Sequence, residues 1–282
     1  MSIETIDARA PRVPDIERTY SKATALRAII LCALVALLDG FDTQVIGFVA
    51  PLIAREWSAD LSAFGIVFGA GLLGFTIGAL LLGPLSDKSG RRRVIIGSTM
   101  AIGLFALLTP YTESLTSLSI LRFLTGLGLG GAMPNIIALT SEYSPPNRRA
   151  TFVTLMFVGF PLGAVLGGAI LAPIMSTHGW HIAFYVGGAL PLLLTVLLFF
   201  ALPESEAFER ARREPVTNQI AAPGRALVLQ LFQDHRALGT FLIWIAFFAN
   251  LLVLYSLINW LPSVLQRSGI PMERAILATA VL

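Results

Sequence analysis

Apolar runs of about twenty residues recur seven times along this chain, each long enough to carry a helix across the roughly 30 Å hydrocarbon layer of a bilayer. They lie near residues 25–53, 64–84, 94–111, 117–140, 151–174, 182–202 and 239–265, and an eighth apolar stretch begins at Ala275. In hydrocarbon, every backbone N–H and C=O must be satisfied without water, so runs of this length fold as helices. The predicted fold is therefore an all-α, multi-pass membrane bundle. Composition agrees: 55% of residues are apolar and 13% charged, against about 25% charged in a soluble domain. The run ending at Leu282 is read as a span cut short, so transport is expected of a longer parent protein.

The net charge of +3 is no sign of nucleic-acid binding, because the basic residues sit in short clusters between the apolar runs. Five lie in the N-terminal tail (Arg9, Arg12, Arg18, Lys22, Arg27) and four follow the second run (Lys88, Arg91, Arg92, Arg93). Two follow the fourth (Arg148, Arg149) and five the sixth (Arg210, Arg212, Arg213, Arg225, Arg236). The alternate connections hold only Arg55, Arg267 and Arg274, and Arg122 stands inside a run. The positive-inside rule then places the N-terminus and the loop after the sixth run in the cytoplasm. The polar tail and the length of the first run exclude a cleavable signal peptide. Cys32, the single cysteine, reads as a small buried hydrophobe.

The expected organisation is a cytoplasmic tail at 1–24, a six-helix bundle at 25–202, a cytoplasmic loop at 203–238, and the start of a second bundle at 239–282. Pro203, Pro215, Pro223 and Gly224 break the loop, and Arg225 to Phe232 has the mixed character of a surface-lying segment.

Asp39, Asp42 and Arg122 are ionisable where lipid is expected. A charge at a helix centre costs about 2.5–3.5 kcal/mol on insertion scales, so such residues face a protein interior or water. Asp39 and Asp42 are three apart, about 60° around one helix, with Gly40 leaving room between them. One or both acids carry a proton, or a fixed ion pair with Arg122 joins the first and fourth helices. Arg122 either snorkels to the interface or points inward to hold a carboxylate through its forked guanidinium. Gly126 and Gly130 follow it at four and eight residues, a small-residue face suited to helix packing, which favours the inward reading.

Gly83 and Gly90 frame a connection, Gly83-Pro-Leu-Ser-Asp87-Lys-Ser-Gly90-Arg91-Arg92-Arg93, suited to a tight turn with close helix approach. Asp87 there is placed to pair with an arginine or cap a helix end. In the fifth run, Pro161 with Gly159, Gly163, Gly167 and Gly168 predicts a bent helix with one thin face, read as a moving contact or as simple tolerance of such residues in membranes. In the seventh, Asn250, Tyr255 and Asn259 offer polar surface for a site or for helix hydrogen bonds, and Trp260 suits an interface belt. His178, His181 and His235 are scattered, and no metal-ligand cluster, P-loop or catalytic constellation is visible. No cofactor, metal or enzymatic activity is expected.

Together these motifs resemble the major facilitator superfamily. The Gly83 to Arg93 segment is similar to its signature loop, the stretch from Arg122 through Gly126, Gly128, Gly130 and Gly131 to its fourth-helix motif, and Leu202-Pro203-Glu204-Ser205 to the close of its sixth helix. Asp39-Gly40-Phe41-Asp42, with Asn250 through Tyr255 to Asn259-Trp260-Leu-Pro262, resembles its aromatic acid:proton symporter branch. The resemblance implies uptake of benzoate- or hydroxybenzoate-like carboxylates with protons at an inner membrane, by a protein monomeric at full length. Asp39 and Asp42 would couple protons, and Arg122, Asn250, Tyr255 and Asn259 would serve substrate or coupling. Sugar porters share the loop, the glycines and the Pro-Glu-Ser ending, but usually lack the first aspartate. A membrane sensor on the same fold and an intramembrane enzyme are the readings from other classes; the first lacks a large signalling module, the second a His and Cys constellation.

Overall fold

The computed structural model describes residues 21–205, 208–209, 232, 237–271, 274–275 and 278. The principal helices are α1 (Lys22–Glu56), α2 (Phe64–Ser89), α3 (Arg91–Leu108), α4 (Leu115–Tyr143), α5 (Arg149–Phe157), α6 (Gly159–His178), α7 (His181–Ala201) and α8 (Ala237–Arg267). No strand occurs among the described residues. Seven stretches are long and apolar enough to cross a membrane, and they coincide with the seven runs of the sequence. The tail before Ser21, most of the 203–238 loop, and most of the stretch after Ala275 lie outside the described residues.

Local chemistry sets the helix ends. Ser21 caps α1 by accepting the Thr24 N–H at 3.1 Å, and Ser114 caps α4 by accepting the Ser117 N–H at 3.2 Å. The fifth run breaks between α5 and α6 at Val158. Pro161 has no N–H to offer the Phe157 carbonyl, so the helix opens one turn before the proline, and the Val158 N–H is shared between Thr154 and Leu155. The irregularity is confined to Val158, which keeps helical backbone angles (φ −58°, ψ −25°), so the span continues through it.

α1 runs through the middle of the bundle and touches α4, α5, α6, α7 and α8. Two buried apolar clusters form along it. One joins its Phe41–Ala54 half to Phe64, Leu118 and Phe184, and the other joins its Ala28–Leu38 half to Ile95, Ile136 and Leu198. Asp39 and Asp42 fall where these clusters meet.

Lipid offers no hydrophobic drive between helices, so close packing must supply the association energy, and small residues permit it. Added methyl groups at Gly126 and Gly130 of α4 would overlap the Gly71 and Phe75 carbonyls of α2. The same holds for Gly40 against the Phe160 carbonyl, and for Gly163 against that of Leu37, along the α1–α6 contact. Gly167 lies instead over the Phe41 ring, where a methyl would come within 2.9 Å. Large apolar side chains such as Ile66, Leu80, Leu193 and Phe200 point away from the bundle, as lipid-facing residues must. Trp260 is half-buried and packs edge-on against Phe68 at 5.4 Å, near the start of α2.

Candidate functional site: a buried ion pair beside a largely apolar cleft

Asp39, Asp42 and Arg122 are all turned inward, with no more than 4% of each residue exposed. Arg122 Nη1 donates to Asp42 Oδ2 at 3.2 Å and reaches Oδ1 at 3.4 Å. Its Nη2 lies 3.5 Å from Thr109 Oγ1, and its guanidinium sits 5.0 Å from the centre of the Phe184 ring. The pair thus ties α1 to α4, while α7 supplies an aromatic face to the cation. Arg122 does not snorkel. The Arg122 Nε is buried with no hydrogen-bond partner among the described residues.

Asp39 takes no part in that pair. One oxygen accepts from the Thr43 hydroxyl at 3.4 Å, one turn along α1, and the other is buried without a partner among the described residues. Two acids three residues apart therefore occupy different environments, one neutralised by a cation and one not.

A half-open cleft of about 60 Å³ adjoins the pair, bounded by Asp42 and Thr43 of α1, Arg122 of α4, and Tyr255 and Asn259 of α8. Gly71 and Gly126 line it too, with the apolar side chains of Ile46, Phe68 and Phe75. Asn250 is not part of it. It is exposed and lines a separate groove with Ala246, Val253 and Leu257. Nine residues, or two and a half turns, separate it from Asn259, which places the two on opposite sides of α8.

At the end of the bundle that carries the basic clusters, the turn is made at Gly90, with φ of 94°. Side chains rarely adopt this backbone conformation, and a methyl there would also meet the Glu204 carboxylate. Glu204 accepts the backbone N–H of Arg92 at 3.0 Å and of Ser205 at 3.0 Å. The side chains of Arg91 and Glu142 form an ion pair, and Ser205 Oγ donates to the other Glu142 oxygen at 2.6 Å. Tyr143 donates to the Glu204 carbonyl at 2.7 Å, and Arg92 to the Phe199 carbonyl. Two expectations are corrected here. Gly83 lies inside α2, with nothing among the described residues within 4 Å of an added methyl, so it provides neither turn nor close approach. Asp87 is exposed and pairs with none of the described residues; the carboxylates that meet the arginine segment are Glu142 and Glu204.

The sequence profile of the Major Facilitator Superfamily matches residues 32–282. The chain belongs to the Major Facilitator Superfamily. Among curated relatives of this superfamily protein, the 4-hydroxybenzoate transporter PcaK of Pseudomonas putida is 39% identical over 88% of the chain and 61% of its own length. The 3-(3-hydroxy-phenyl)propionate transporter of Escherichia coli K12 is 43% identical over 90% of the chain and 60% of its own. The gallate transporter of Pseudomonas putida is 37% identical over 90% and 61%. The chain thus spans about three fifths of the length of these relatives, and its likeness is to the aromatic acid branch. Among solved structures, the Escherichia coli xylose transporter XylE, partially occluded and inward open, superposes with a TM-score of 0.70 at 18% identity, covering 91% of this chain and 69% of its own. That likeness concerns the fold alone.

Sequence reasoning on this superfamily member missed Thr43, Thr109, Phe184, Glu142 and Glu204 as partners. A signal existed for the last two: both acids sit at helix ends on the same side as the arginine clusters, where opposite charges can meet. No local signal marks Thr109 or Phe184, whose role depends on how α3 and α7 are packed.

Proposed function

We propose that the complete gene product is a proton-coupled secondary transporter that imports aromatic carboxylates of the benzoate or hydroxybenzoate class by alternating access. The observation that carries this reading is the guanidinium of Arg122, buried against Asp42, with its Nε–H unpartnered among the described residues, beside a largely apolar cleft such as an aromatic ring would fill. The named substrates of the relatives, hydroxybenzoate, gallate and hydroxyphenylpropionate, are ring carboxylates and support it.

In this reading the substrate carboxylate takes hydrogen bonds from Arg122, displacing part of its contact with Asp42. Asp42 is then left as an acid without its cation and accepts a proton. Asp39, with an unpartnered oxygen, is a second proton carrier. Tyr255 and Asn259 provide polar contacts from α8 to the ring substituents. One proton moving with a monocarboxylate carries no net charge, so the pH gradient alone would drive it. A second proton would add about 2.3 kcal/mol per 100 mV of membrane potential.

The basic end of the bundle is assigned to the cytoplasm, at the inner membrane, and the functional unit to a monomer of two helix bundles with the substrate between them. The test is accumulation of labelled 4-hydroxybenzoate by cells expressing the complete gene product. Accumulation should collapse with a protonophore. Undiminished uptake after the gradient is dissipated would remove proton coupling, and absence of uptake across a panel of ring acids would remove the substrate class.

A further inference from the structure

Basic side chains are scarce at the end of the bundle opposite the basic clusters: Arg55, Arg267 and Arg274 account for those outside the apolar runs. Two of the three line a single cleft of about 430 Å³, between the C-terminal end of α1, the turn before α2 and the end of α8. Cations retained against the positive-inside bias and gathered at one opening call for a ligand of opposite charge.

Two further side chains of this cleft are unsatisfied. Ser263 is 3% exposed, and its hydroxyl has no hydrogen-bond partner among the described residues. A helical serine ordinarily returns its hydroxyl to the carbonyl four residues back, as Ser268 does to Val264 at 3.1 Å, and Ser263 does not. Gln266 Nε2 is likewise buried and unpartnered among the described residues. Both atoms donate hydrogen bonds, which an anion accepts.

The cleft is also aligned with the central one along α8. Tyr255, Asn259, Ser263 and Arg267 recur every four residues along one face of α8; the first pair lines the central cleft beside Arg122 and the second pair this one. Between the two cavities the helices touch. A methyl on Gly47 of α1 would come 2.7 Å from the Ile258 carbonyl oxygen and 3.3 Å from the Asn259 Cα.

We propose that this cleft is an outer vestibule that takes the carboxylate of an organic acid between Arg55 and Arg267, with Ser263 and Gln266 as further donors, before the acid passes Gly47 to the central site. The inference rests on the transport reading above. Asp60 shares the rim and sets the balance of charge. Its carboxyl accepts the Ser62 N–H at 3.0 Å; that bond chiefly, and the nearby Arg267 charge as well, hold it below the usual carboxylate range. It therefore stays ionised in neutral medium and opposes an incoming anion.

The test compares initial uptake of 4-hydroxybenzoate by the complete gene product in phosphatidylcholine vesicles at low and high salt. Arg55→Gln with Arg267→Gln should raise the apparent KM at least about threefold at low salt, leave the maximal rate near wild type, and flatten the salt dependence. The Arg→Lys pair should restore the KM, and Asp60→Asn should lower it, an opposite shift that damage to the fold does not produce. Ser263→Ala should raise the KM without changing the salt slope. An unchanged KM and salt slope in the double variant, with wild type active, would overturn the vestibule and leave the transport reading standing. A shift seen only when phosphatidylglycerol is added would assign the arginines to lipid headgroups and also overturn it. A wild type inactive towards every ring acid would remove both readings.

Discussion

Arg122 on α4 reaches Asp42 on α1 at 3.2 Å, while Asp39, one turn earlier on the same helix, is left to the hydroxyl of Thr43. The two aspartates are therefore not interchangeable, and their substitutions should differ in kind.

Asp42→Asn removes the partner of a buried cation, and breaking one side of a buried pair costs about 3–5 kcal/mol. Reduced yield and a lowered melting temperature in detergent are expected, together with loss of uptake. Asp42→Asn combined with Arg122→Gln should recover much of the thermal stability but no transport. Equal melting temperatures for wild type and the single variant would contradict a structural contribution from the pair.

Asp39→Asn should leave the melting temperature close to wild type, since its carboxylate has no cation partner among the described residues. Concentrative uptake should disappear while exchange of substrate between preloaded vesicles and medium persists. Retained accumulation against a gradient would assign coupling elsewhere.

Arg122→Lys keeps the charge and loses the fork. An ammonium cannot serve Asp42, Thr109 and an incoming carboxylate in the planar geometry of a guanidinium. At least a tenfold loss of kcat/KM is expected, about 1.4 kcal/mol or more, and wild-type kinetics would refute the assignment.

Asn259→Ala and Asn250→Ala separate the two faces of α8. A hydrogen bond to a neutral ring substituent contributes about 0.5–1.5 kcal/mol, so the first should raise KM about threefold to tenfold. The second changes an exposed side chain outside the central cleft and should leave kinetics within a factor of two. Comparable effects from both would mean that the cleft is not the substrate site.

Gly90→Ala forces a side chain into a conformation that costs about 1–3 kcal/mol and crowds Glu204. Gly83→Ala meets open space and should be neutral or slightly stabilising, as alanine usually is within a helix. Melting temperatures of the two variants, measured side by side, should fall clearly for the first and not for the second.

The seven spans, the helix irregularity near Pro161 and the sorting of charge between the two ends were legible from one sequence because each depends on local quantities. Apolar length, a missing proline N–H and a run of arginines keep their meaning whatever surrounds them. The inward orientation of Asp39, Asp42 and Arg122 was legible too, since hydrocarbon tolerates no alternative without large cost. What no local pattern contains is the rotation and depth at which one helix meets the next. Those variables come from packed glycines such as Gly40, Gly126, Gly130 and Gly163, and they choose Asp42 over Asp39 for the guanidinium, turn Asn250 away from the cleft, and bring Glu142 and Glu204, not Asp87, to the arginine segment. A helix presents several faces of similar chemistry, and the face that acts is settled by contacts between residues tens of positions apart.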